Sequence, residues 1–114
     1  MDFNTKKVDN NVIINLAGRL DVHLSAETEK AINALIKSES SSNFVLNLND
    51  VEYMSSSGLR IFVSTMRVLK ESKRKLVLCN MNEAVKKIFE VVELTDMFDI
   101  FDTEGEAISY LKKV

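Results

Sequence analysis

The chain has 114 residues, of which 46% are hydrophobic and 28% charged, with a formal net charge of -2. That length carries one core without disulfide or metal staples, and that balance excludes a disordered chain and leaves no basic footprint for nucleic acid or anionic membrane. Met1-Asp2-Phe3-Asn4 lacks the basic and apolar regions of a signal peptide, and no apolar run approaches bilayer length. A cytoplasmic protein without membrane insertion is expected, with residues 1–114 forming a single domain.

Residues 3–8 and 11–17 read as two strands joined by the turn-forming cluster Asp9-Asn10-Asn11. Val12-Ile13-Ile14-Asn15-Leu16-Ala17 is nearly continuous apolar sequence, which predicts an interior strand. Gly18-Arg19-Leu20-Asp21 is expected to break it. From Leu24 to Lys37, apolar Leu24, Ala31, Ile32, Leu35 and Ile36 recur at helical spacing, and Ser38 to Asn43 is a polar connection. A strand at 44–48 follows, then a polar turn, three serines and a glycine, and a helix over 57–71. That helix is predicted to bury Leu59, Phe62, Met66 and Leu69, with Ile61, Val63 and Val68 widening the stripe. Arg67, Lys70, Lys73 and Lys75 read as its solvated face and end.

The strand 75–79 leads through Asn82, a predicted N-cap, into a helix carrying Ala84, Val85, Ile88, Phe89 and Val92. Phe98 to Phe101 is a short last strand, and Thr103 with Glu106 forms a capping box before a closing helix that buries Ala107, Ile108 and Leu111. Strands alternating with helices in this way imply right-handed crossovers. The predicted fold is α/β, a single-domain mixed sheet that is largely parallel, with an antiparallel N-terminal edge strand and about four helices. If the strands at 11–17 and 44–48 are parallel, the loops after both lie on one edge of the sheet. Gly18 to His23 and Asp50 to Gly58 are then expected to form one surface, at the edge such sheets use for ligands and partners.

Several chemistries are missing from the sequence. It holds no phosphate-binding Gly-rich loop with Lys and Ser/Thr, no dinucleotide fingerprint, no His/Cys metal spacing and no Gly-x-Ser-x-Gly elbow. No catalytic residue, metal or cofactor is expected. Cys79, the one cysteine, sits in an apolar strand as a small hydrophobe, and His23 beside Asp21 has no second ligand near it in sequence. Asp21, Asp50 and Glu52 are strand-end carboxylates whose use as an acid–base or magnesium cluster has nothing else to support it.

The stretch Tyr53-Met54-Ser55-Ser56-Ser57-Gly58-Leu59 carries the most information. It places hydroxyls at a helix N-terminus, where free backbone N–H groups and the positive end of the helix dipole favour an added phosphate. Serine is also a preferred N-cap and glycine relieves a tight strand-to-helix turn, so capping and phosphorylation both fit, and Ser55 can cap while the next hydroxyl faces solvent.

With Gly18-x-Leu20-Asp21 and the strand Phe44-Val45-Leu46-Asn47-Leu48, this run resembles the STAS domain of bacterial anti-sigma factor antagonists (SpoIIAA/RsbV-like). The strand ending at Cys79 and the helix Ala84-Val85-Lys86-Lys87-Ile88-Phe89 extend the resemblance over essentially the whole chain. It implies a partner-switching protein that is not an enzyme. In that family the unphosphorylated antagonist binds an anti-sigma factor that is also a serine kinase of the histidine-kinase ATPase type, and so releases a sigma factor. The kinase then phosphorylates the antagonist, and a PP2C-type phosphatase resets it.

The family pattern is Asp-Ser-Ser-Gly with phosphate on the first serine of the pair. The matching acceptor here is Ser56, with Ser57 and Ser55 as alternates, and the implied partner surface is Asp21 with Ser55, Ser56, Ser57, Gly58 and Leu59. This chain departs from the pattern at Ser55, which stands where the family has aspartate. Two other readings accompany this one: a STAS subunit of a larger assembly such as a stressosome or lipid-transport complex, and a small nucleotide-binding or enzymatic domain using Asp21 and Asp50.

Overall fold

A strand that is apolar on both faces must be covered on both, and the fold is built to do that. A computed structural model describes residues 4–114, apart from the side chains of residues 22–24. The elements are β1 (Asn4–Val8), β2 (Asn11–Leu20), α1 (Val22–Ser38), β3 (Asn43–Met54), α2 (Ser56–Glu71), β4 (Leu76–Cys79), α3 (Glu83–Val91), a 3-10 turn (Thr95–Met97), β5 (Asp99–Phe101) and α4 (Glu104–Lys113). They form one five-stranded sheet in the order β1-β2-β3-β4-β5. The β1–β2 pair is antiparallel and the remaining pairs are parallel, as the sequence predicts.

Because strand order advances the same way at each crossover, right-handed connections carry α1, α2 and α3 to one face. The packing agrees. Val12, Ile14, Leu16, Phe44, Leu46, Leu48, Leu76 and Leu78 join Ile32, Ile36, Leu59, Phe62, Leu69, Val85 and Phe89 in the larger core. The alternate residues Ile13, Val45, Val77 and Cys79 face α4 through Ala107 and Leu111. Phe89 links α3 to its neighbours, stacked on Phe62 at 6.2 Å and meeting Phe98 edge-on at 5.7 Å.

Two strands run longer than their sequence suggests. β2 continues through Gly18 to Leu20, with register shifts between Asn15 and Ala17 and between Gly18 and Arg19. Gly18 has φ +84, which only glycine adopts without strain, so the expected break is a bulge inside the ladder. β3 likewise continues to Met54. Its apparent polar turn is a half-covered strand in which Val51 and Met54 are buried while Asn49, Asp50, Glu52 and Tyr53 are exposed. Asn47 Oδ1 accepts from the Asn49 N–H at 2.9 Å within it.

Helix burial follows prediction with local exceptions. Val68, Ala84 and Val92 are exposed, Met66, Ile88 and Ile108 are half-buried, and Thr65 is buried on α2. Arg74, at a position with no apolar signal, donates from one guanidinium nitrogen to the carbonyls of Ile36, Glu39 and Ser42. It thereby caps the C-terminus of α1, whose last carbonyls otherwise lack donors. Asn82 Oδ1 accepts from the Val85 N–H and Thr103 Oγ1 from the Glu106 N–H, as expected of two N-caps, but among the described residues the Glu106 side chain does not return a bond to the Thr103 N–H, so the expected capping box is half formed. Phe3 and the side chains of His23 and Leu24 lie outside the described residues.

Cys79 is fully buried, and burial, reinforced by Glu104, pushes its thiol from 9.0 up to about 12. Since the thiolate is the reactive form, Cys79 in the folded protein should resist alkylation at pH 8 while denatured chain reacts within minutes. Comparable rates in both states, followed by mass, would contradict a sealed second core. The raised value also fixes a sign: the folded state disfavours the thiolate, so this site's contribution to stability is complete below pH 9 and declines as pH rises toward 12.

Candidate partner-binding and phosphorylation site

Leu20 and Met54 are register partners at the ends of β2 and β3, so the chain leaves both strands side by side. The two sequence segments expected to meet do meet, although Ala17 to Leu20 and Asp50 to Met54 do so as paired strands rather than as loops. Ser55 secures the junction. Its N–H and its Oγ both donate to the Leu20 carbonyl, at 3.0 and 3.1 Å. The same Oγ accepts from the Gly58 N–H at 3.4 Å, with Ser55 in the extended conformation of an N-cap.

This arrangement accounts for serine at a position where the resembled pattern has aspartate. Both residues are favoured caps, but only a hydroxyl can donate to the Leu20 carbonyl while it accepts from the helix. Ser55 therefore has its hydrogen-bonding capacity committed to structure. Ser57 is half-buried and lines a shallow groove of about 200 Å³ with Ser25, Ala26, Glu29, Arg60 and Ile61, between the first turns of α1 and α2. Ser56 is exposed, and among the described residues its hydroxyl has no hydrogen-bond partner. The serines at 55, 56 and 57 are thus told apart by geometry where sequence leaves them equivalent.

Asp21 follows β2 directly and is half-buried, and its carbonyl accepts from the N–H and Oγ of Ser25 at the start of α1. Gly58 and Leu59 are buried and set the seat of α2 without presenting side chains. A Cβ on Gly58 would sit 2.9 Å from the Leu20 carbonyl oxygen and 2.8 Å from Met54 Cγ. A backbone carbonyl cannot swing aside as a side chain can, so the helix would have to lift from the sheet end. Gly58→Ala, which in an open helix gains up to about 1 kcal/mol, should instead cost about 1–3 kcal/mol here. Denaturant unfolding checks this, and equal or raised stability would mean that the close approach is not real.

Asp50 accepts from the side-chain amides of Asn15 and Asn49, both at 3.2 Å. It pairs with Ala17 inside the ladder, several residues short of the strand end that Asp21 occupies. Asp50 and Asp21 are thereby separated, and among the described residues no three His, Cys, Asp or Glu side chains gather as a metal site. Missed in the sequence was the stack of the Arg19 guanidinium over the Tyr53 ring, 4.5 Å from its centroid. Arg19 and Tyr53 are register neighbours across β2 and β3, so the extended pairing makes the contact, and only the extended strands could have revealed it. No helix among the described residues is long and apolar enough to cross a membrane.

Comparison with known proteins places this geometry in context. A family model described as the STAS domain matches residues 2–107. The anti-sigma-B factor antagonist of Bacillus subtilis is 30% identical over 88% of this chain and 90% of its own length. The solved structure of the anti-sigma factor antagonist SpoIIAA in its unphosphorylated form has a TM-score of 0.75 at 25% identity, covering 99% of this chain and 100% of that one. The phosphorylated form of SpoIIAA, a Bacillus cell fate determinant, superposes with a TM-score of 0.73 at 27% identity over 96% of this chain and 99% of that one.

Proposed function

We propose a phosphorylation switch for this chain, which belongs to the STAS domain family and, within it, to the anti-sigma factor antagonists. In its unphosphorylated form it binds an anti-sigma factor that is also a serine kinase of the histidine-kinase ATPase type, and a sigma factor is released. The contact surface is Asp21 with Ser55, Ser56 and Ser57, held in place by the buried Gly58 and Leu59 beneath them. Phosphorylation follows when Ser56 Oγ attacks the γ-phosphorus of ATP held by the kinase, ADP leaves, and the hydroxyl proton passes to a base on the kinase. A PP2C-type phosphatase hydrolyses the ester and restores the binding form. The chain supplies an acceptor and a surface and performs no chemistry of its own, and the circuit operates in the cytoplasm.

The observation that carries this reading is the division of labour among the serines: Ser55 is consumed by the cap and Ser56 is left exposed with a free hydroxyl. Phosphopeptide mapping of the protein taken from its own cells tests it. A single phosphate on Ser56 is expected, and a phosphate confined to Ser55 or Ser57 would overturn the assignment. The surface is tested separately through Asp21. Asp21→Lys should weaken binding to the kinase by at least about tenfold, because a reversed charge at an interface commonly costs over ~1.4 kcal/mol, with unchanged circular dichroism. Calorimetric affinity within twofold of the parent would remove Asp21 from the interface.

A further inference from the structure

Arg60 stands one helical turn after Ser56 on α2, and both side chains are exposed. Residues four apart on a helix are surface neighbours, about 5–6 Å between Cβ atoms. Helical side chains also lean toward the N-terminus, so Arg60 covers the first turn of α2 rather than the turn beyond it. Its place in the groove beside Ser57 agrees with that direction. Among the described residues Arg60 has no hydrogen bond or ion pair, whereas the other nearby guanidinium, Arg19, is stacked on Tyr53.

We infer that Arg60 is a phosphate clamp: once Ser56 is phosphorylated, the Arg60 guanidinium folds back onto the phosphate and is withdrawn from the partner-facing surface. The inference rests on Ser56 as the acceptor. An anion on the N-terminal side and a cation four residues later is also the order that the helix dipole favours. A guanidinium offers paired donors that match two phosphate oxygens, which an ammonium cannot do. The carboxylate facing the same groove is Glu29 on α1, which competes for Arg60 weakly because it carries one charge against nearly two on the phosphate. Asp21, just before α1, and Glu52, near the end of β3, are further acidic groups at this sheet edge. Phosphorylation thus changes the surface twice, adding a dianion at Ser56 and removing a free cation at Arg60.

The experiment uses the full chain with phosphoserine installed at position 56 during translation, so that the clamp is tested whatever residue the cellular kinase selects. Phosphorus NMR follows the second ionisation of the phosphate in the parent, Arg60→Gln and Arg60→Lys proteins. A cation in contact favours the dianion, so Arg60→Gln should raise that ionisation by roughly 0.3 pH unit or more over the parent. Arg60→Lys should recover only part of the difference, and raising salt to 1 M should shrink it. Coincident titrations of parent and Arg60→Gln would overturn the clamp. Failure of the acceptor assignment is read elsewhere, in the mapping of phosphate on protein from its own cells.

Discussion

Ser56→Ala should abolish phosphate incorporation by the cognate kinase while leaving the melting temperature nearly unchanged. The first half follows from the acceptor assignment. The second follows from the hydrogen bonds: Ser56 contributes none among the described residues, so removing its hydroxyl falls in the range of ordinary surface changes, within about 0.5 kcal/mol. Ser55→Ala is the informative control. It removes the cap on Gly58 and the hydroxyl's bond to the Leu20 carbonyl together, leaving the Ser55 N–H bond to that carbonyl, and should cost about 1–2 kcal/mol while leaving Ser56 in place. Radiolabel transfer and thermal unfolding on the same preparations separate the two serines. Undiminished labelling of Ser56→Ala would mean that another hydroxyl is the acceptor, and a large drop in its melting temperature would mean that Ser56 carries structure.

The difference between those variants marks the limit of what sequence could say about the site. Three consecutive serines before a glycine are compatible with a cap and with a phosphate acceptor, without saying which residue would serve as which. The choice depends on the Leu20 carbonyl, a backbone group from a strand 35 residues earlier that no local pattern contains. Elsewhere the division follows the same physical line. Runs apolar on both faces, such as Val12 to Leu16 and Phe44 to Leu46, identified interior strands, because burial on both faces leaves that signature. The ends of β2 and β3 lack it because α4 does not extend over them, and so their exposed polar residues mimicked turns. Arg74 escaped notice for a related reason, since its partners are carbonyls at the end of α1 and carry no side-chain signal.

Phosphate on Ser56 should lower affinity for the kinase roughly a hundredfold without refolding the antagonist. A phosphoserine adds about −1.5 to −2 charge at pH 7, and the first turn of α2 is prepared for it. The Ser56 and Ser57 N–H groups have no acceptor within the helix, and the Leu20–Ser55 junction that fixes the turn does not involve the Ser56 hydroxyl. The free protein therefore has little reason to rearrange. The bound state differs, because the dianion must be desolvated and brought toward the phosphates of a nucleotide on the kinase. A cost on the order of 3 kcal/mol is modest for desolvating a dianion near like charge at an interface and corresponds to that loss of affinity. Ser56→Asp should reproduce only part of it, since a carboxylate has one charge and two oxygens in place of a dianion with three. Calorimetry with the ADP-bound kinase, beside amide NMR spectra of both free forms, decides the matter. Equal affinities would end the switch as a mechanism, and spectral changes reaching well past residues 50–60 and the Leu20–Asp21 corner would show that the phosphate acts by refolding instead.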